Sequence, residues 1–168
     1  MISIAEKVIN LIIHILTYWL ILSTLIFASL LVKPRIWLHR MPPAVRAKVK
    51  GKTPMEKRWF LILGIPMGVV FFFNPIVFTA LMYNQLYQIL LSLLTFTAGF
   101  AIWDTLILDL FIFCKLTPKP MVIEGTTTHD YKDKIYHLKS GFKGLVMAVV
   151  YSIVTGFIIY LLKHITSL

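Results

Sequence analysis

The run Ile89–Cys114, ILLSLLTFTAGFAIWDTLILDLFIFC, decides the fold of this chain. It exceeds the ~20 mostly apolar residues that cross a bilayer as a helix. Its only charged residues are Asp104 and Asp109. A carboxylate in hydrocarbon costs at least ~2.5 kcal/mol, so it faces protein or a water-filled cavity and marks a site.

Three further runs have the same character: Val8–Val32, Trp59–Met82 and the shorter Leu145–Leu162. Of 168 residues, 58% are hydrophobic and 14% charged, with a mean hydropathy of +0.82. A soluble domain is about 45–50% apolar and about 25% charged. Lipid is therefore the solvent, and the expected fold is all-α: an integral membrane four-helix bundle forming one transmembrane domain over residues 1–168. The first run is too long for the apolar part of a cleaved signal peptide, and a basic stretch follows it directly. No 20–50-residue repeat is visible.

Between the runs lie a basic loop at 33–58, a tight turn at 83–88 and a second polar loop at 115–144. All of the 17 Lys and Arg residues except Lys7 and Lys163 fall in the two loops. Short loops rich in Lys and Arg remain in the cytoplasm. The expected topology is a multi-pass plasma-membrane protein with both loops cytoplasmic and both termini outside. Trp37 and Trp59 flank the first loop and Tyr83 and Tyr87 the opposite turn, as an aromatic belt at both interfaces.

Thr53-Pro54-Met55-Glu56 reads as a helix start, with Thr53 as cap, Pro54 at the first helical position and Glu56 completing a capping box. Further on, Gly64 and Gly68 form a GxxxG pair that permits close helix approach, within or between chains. Asn74-Pro75 predicts a kink, because Pro75 cannot donate to the carbonyl four residues earlier. In the second loop Asp130 is a candidate cap for a helix in which Tyr131, Ile135, Leu138 and Phe142 share one face. That segment is expected to lie in the interface as an amphipathic helix and to bend near Gly141 and Gly144 into the last span.

The net charge of +10 fits anionic headgroups better than nucleic acid, for which no motif is present. Arg46, Lys48, Lys50, Lys52, Lys132, Lys134 and Lys139 are the candidate lipid contacts, at roughly 1 kcal/mol each near the surface. At ~1.5 Å per residue, Asp109 lies about 8 Å and Asp104 about 15 Å inside the loop end of the third span. Tyr151 is placed near the depth of Asp109. Thr155, Gly156, Ser23 and Thr24 fall near that of Asp104. No Lys or Arg is expected deep enough to pair with Asp104. Five residues apart on an α-helix, about 140° around it, the two aspartates are not expected to form one tight pair, but both can border one cavity open to the cytoplasm. Trp103 is a candidate stacking wall beside Asp104.

Cys114 cannot form an internal disulfide. The histidines suggest no haem pair, and the group Glu124, His129, Asp130, Asp133 and His137 matches no zinc spacing; a solvated loop is expected there, no metal is assigned, and no cofactor follows from the sequence. Thr126–Thr128 after Gly125 is a weak phosphate-binding candidate.

From Trp103 to Gly144 the chain resembles a group of small multi-spanning bacterial membrane proteins. The likeness rests on Asp104, Asp109, Phe113-Cys114, Thr117-Pro118-Lys119, Val122-Ile123 with Gly125-Thr126, Tyr131-Lys132-Asp133 and Gly141-Phe142-Lys143-Gly144. Pro34 with Trp37, and Thr53-Pro54 with Glu56-Lys57, add to it. The chain departs from that pattern at Leu110, where those proteins tend to carry tryptophan. The resemblance implies no activity; it marks the third span and the loop after it as the distinctive unit.

Three function classes follow. The first is an accessory protein that holds a lipid or a partner subunit through its basic face. The second is a small transporter or channel using Asp104, for which four short spans leave little internal room and so favour a homo-oligomer or a larger membrane complex. The third is a membrane enzyme acting on a lipid headgroup through Asp109 and loop carboxylates. No nucleophile elbow, HExxH or phosphate loop favours the enzyme.

Overall fold

The structure, a computed structural model, describes residues 4–165, which form an all-α bundle with four helices long and apolar enough to span a membrane. The chain runs through α1 (Ile4–Val32), a 3₁₀ turn (Pro34–Arg40), α2 (Pro43–Lys48), α3 (Pro54–Met82) and α4 (Leu86–Trp103). It continues through a π-helical segment (Asp104–Leu116), two short 3₁₀ turns (Lys119–Met121 and Thr128–Tyr131) and α5 (Lys134–Ile165). Large apolar side chains such as Leu20, Ile65, Leu81 and Leu161 are more than half exposed, the surface expected where lipid replaces water.

The predicted capping box opens α3: Thr53 Oγ1 accepts from the Glu56 amide at 3.2 Å, and Glu56 Oε2 accepts from the Thr53 amide at 2.8 Å. Pro66 and Pro75 both lie inside this helix. Pro75 leaves the Phe71 carbonyl without its helical donor, and the Tyr18 hydroxyl of α1 donates to that oxygen at 2.9 Å. The Tyr151 hydroxyl of α5 donates to the neighbouring Phe72 carbonyl, and His14 Nε2 lies 3.2 Å from Asn74 Oδ1. The helix runs on through Pro75 without a break, and the carbonyls around that proline become the point where α1, α3 and α5 are tied together.

Helices α4 and α5 make the most extensive contact in the bundle. Thr97 and Ser152 hydroxyls meet at 2.8 Å in its buried centre. A Cβ on Gly156 would run into the Leu90 side chain, and one on Gly141 into Thr105. These glycines, with Gly99 beneath Trp19, are the close approaches. The GxxxG pair does not take that role within the chain: Gly68 has nothing within 4 Å of a built Cβ, and Gly64 meets only Phe60 of its own helix.

Both loops fold together at one end. Leu30, Leu38, Met41, Val45, Phe113, Met121, Ile123 and Tyr131 form a buried cluster there, and Lys48 Nζ reaches both oxygens of Asp130 at 2.7 and 2.8 Å. Asp130 does not cap the last helix. It belongs to a capping box with Thr127, and Asp133 caps α5 through the Tyr136 amide at 2.9 Å. Two of the three threonines in the weak phosphate-binding candidate are engaged locally: Thr126 donates to the Ile123 carbonyl and Thr127 to Asp130. At the opposite end Lys163 Nζ donates to the Tyr83 carbonyl and Asn84 Oδ1.

The amphipathic segment before the last span is present as the opening turns of α5, which continues unbroken through Gly141 and Gly144. Ile135, Leu138 and Phe142 form its exposed apolar face, whereas Tyr131 lies in the loop core. Because α5 starts at Lys134, its first three turns already run beside the π segment. That shifts the depths expected for the last span. Gly141 is level with Thr105, and Gly156 packs on Ile89 and Leu90 rather than near Asp104.

Candidate functional site

In an α-helix Asp104 and Asp109 would diverge. The segment that carries them is π-helical from Asp104 to Leu116, and its wider i→i+5 winding brings residues five apart closer around the axis than an α-helix does. The two carboxylates therefore lie closer around the axis than α-helical spacing predicts, and both border one cavity, as the sequence allowed, without meeting as a pair. The segment closes where the Thr117 amide donates to the Ile112 carbonyl at 2.7 Å. Thr117 holds a left-handed conformation (φ 43) that β-branched residues rarely adopt, and its hydroxyl donates to the Phe113 carbonyl at 2.6 Å.

Both aspartates line a cavity of about 800 Å³ between α1, α3, the π segment and α5. Small-molecule sites commonly enclose about 300–1,000 Å³. The cavity is graded along α5. Its loop end carries Asp104, Asp109, His137 and Ser140, with Arg40 and Lys143. Its other end is walled by Phe71, Phe72, Phe100, Met147, Val150 and Val154, with Tyr151 and Thr155 among them. From His137 to Thr155 it follows about 27 Å of helix at ~1.5 Å per residue. Met147, Val150 and Val154 are half exposed or more, so the apolar end opens sideways to the bilayer.

His137, expected in a solvated loop, is instead 3% exposed. Its Nδ1 lies 3.3 Å from Asp109 Oδ1, and its ring sits beside Phe113 and Tyr136. Its Nε2 is the one buried side-chain polar atom without a hydrogen-bond partner among the described residues. Asp104 lines the same space and, among the described residues, makes no ion pair and accepts no hydrogen bond. Arg40 reaches this cavity from the first loop without pairing with Asp104, in keeping with the expectation that no Lys or Arg forms an ion pair there.

The remaining candidates separate. Trp103 is not a wall of the cavity: it turns toward α1, stacks on Trp19 with centroids 5.9 Å apart and donates to Ser23 Oγ at 3.1 Å. Tyr151 does line the cavity, but toward its apolar end and not level with Asp109. Among the basic candidates, Lys48 is committed to Asp130. Lys52 donates to the Ile36 carbonyl at 3.0 Å, lies 3.1 Å from His39 Nδ1 and sits over the Phe60 ring. Arg46, Lys50, Lys132, Lys134 and Lys139 are exposed. No three His, Cys, Asp or Glu side chains converge as metal ligands would among the described residues.

Outside the spans the electrostatics are those of a docked loop pair. The Lys48 ammonium and the Thr127 amide lower the Asp130 carboxyl to about 2. Partial burial, then Lys52 and Arg40, lower His39 to about 4, which leaves its Nδ1 free to accept from the Lys52 ammonium.

No family model, curated protein or solved structure matches this chain.

Proposed function

We propose that this protein is a lipid-binding membrane protein that holds one phospholipid in the graded cavity, head at the loop end and chain toward Val154. The single observation that carries this reading is the gradient itself: charged groups gathered beside the first turns of α5, then an apolar, laterally open stretch long enough for an acyl chain. The reading extends to location. The basic loops face the cytoplasm of a plasma-membrane protein, the termini lie outside, and Arg46, Lys50, Lys132, Lys134 and Lys139 draw the loop face onto anionic lipid. The protein then acts as an accessory that presents or retains lipid. The transporter reading through Asp104 and the enzyme reading through Asp109 rank behind it, though the His137–Asp109 contact would suit acid–base work.

Native mass spectrometry in a mild detergent tests the proposal. Wild type should retain one phospholipid per chain, and Val154→Trp, which fills the open apolar end, should lose most of it while staying folded. Equal retention by both proteins would place any lipid elsewhere.

A further inference from the structure

The charged end of the cavity carries two opposite signs in one place, and that pattern is more specific than a basic patch. Arg40 and Lys143 supply cations, whereas Asp104 and Asp109 supply carboxylates on one side of the π segment. Asp109 has His137 at 3.3 Å. Asp104 has no hydrogen-bonding or ion-pair partner among the described residues, and buried His137 keeps Nε2 unpaired. A carboxylate at membrane depth is costly unless a cation, a proton or water meets it. A purely anionic headgroup would bring its negative charge beside both carboxylates, which like-charge repulsion disfavours. A headgroup holding a phosphate and an ammonium a few ångströms apart satisfies both sets of charges at once.

Resting on the lipid-binding reading above, we infer that the cavity selects an aminophospholipid, with its phosphate between Arg40 and Lys143 and its primary ammonium donated to Asp104. Asp109 is the second acceptor for that ammonium, oriented by His137. The basic loops and the cavity then take different lipids: anionic headgroups outside, a zwitterionic one within.

The test uses the full chain in nanodiscs of equimolar phosphatidylethanolamine and phosphatidylglycerol with matched acyl chains, followed by quantification of the lipid retained on mild extraction. Wild type should retain phosphatidylethanolamine over phosphatidylglycerol by about tenfold, a factor worth ~1.4 kcal/mol. Asp104→Asn should bring the ratio near one, and Asp104→Glu should keep most of the preference. Retention of lipid without a headgroup preference in wild type, or a preference untouched by Asp104→Asn, overturns the headgroup assignment and leaves lipid binding standing. Absence of any retained lipid overturns both. A third comparison needs no variant: phosphatidylcholine, whose trimethylated nitrogen has no N–H to donate, should be retained less well than phosphatidylethanolamine by wild type.

Discussion

Tyr18 shows how one residue settles a conflict that the sequence poses elsewhere. Pro75 removes a donor from the Phe71 carbonyl, and the Tyr18 hydroxyl supplies another from a different helix. A carbonyl left unpaired in an apolar bundle costs about 1–3 kcal/mol, while measured membrane hydrogen bonds average nearer ~0.6 kcal/mol. Tyr18→Phe should therefore lower stability by about 0.5–2 kcal/mol in reversible detergent unfolding; no change would mean that the Phe71 carbonyl finds another donor. Asp130 gives a pH-dependent counterpart. Its carboxyl is held below its ordinary value, so the stability it contributes is complete above about pH 4 and is lost as pH falls toward 2. The difference in melting temperature between wild type and Asp130→Asn should be constant from pH 7 to 5 and shrink below that. His39 is a base held low, so wild type should also lose stability from about pH 6.5 to 4 as the unfolded chain takes the proton first. His39→Gln should remove that part of the slope.

The helices themselves were legible because continuous apolar runs of about 20 residues can satisfy their backbone in lipid only as helices, a barrel strand being about half that length, and the Thr53–Glu56 box follows from residue chemistry alone. Register was not legible. Depths measured from Leu145 assume that a span begins where its apolar run begins, whereas α5 starts at Lys134 with a charged, amphipathic opening. The π segment was invisible for a related reason: its residues, DTLILDLFIFCKL, have no composition that separates them from an α-helix. Yet the change of winding decides how close Asp104 and Asp109 lie around the axis. His137 lay in plain view, on the side of its helix away from Ile135, Leu138 and Phe142, but only tertiary packing delivers it to Asp109. The contact between Gly141 and Thr105 holds this register. Gly141→Ala should destabilise the bundle by about 1–3 kcal/mol, the usual cost of overpacking. Gly68→Ala, with open space around it, should be neutral or slightly favourable. A large loss at Gly68 in the same unfolding assay would instead show that this face meets a second chain.

For the molecule as a whole, the two loops form a folded cap over one end of the bundle, held by the cluster around Tyr131 and by Lys48–Asp130. The cavity runs from beneath that cap to the lipid-facing side of α5. The basic residues behind the +10 charge divide between side chains spent on internal contacts, such as Lys48 and Lys52, and those exposed on the loop surface, such as Arg46 and Lys50. The most direct measurement is photocrosslinking in bilayers with a phospholipid that carries a diazirine at the end of one acyl chain, followed by peptide mapping. An occupied cavity predicts adducts concentrated on Phe72, Val150 and Val154 and removed by Val154→Trp. Labelling that simply follows exposure, as strong on Leu20, Leu81 and Leu161 as in the cavity and unchanged by that substitution, would contradict it.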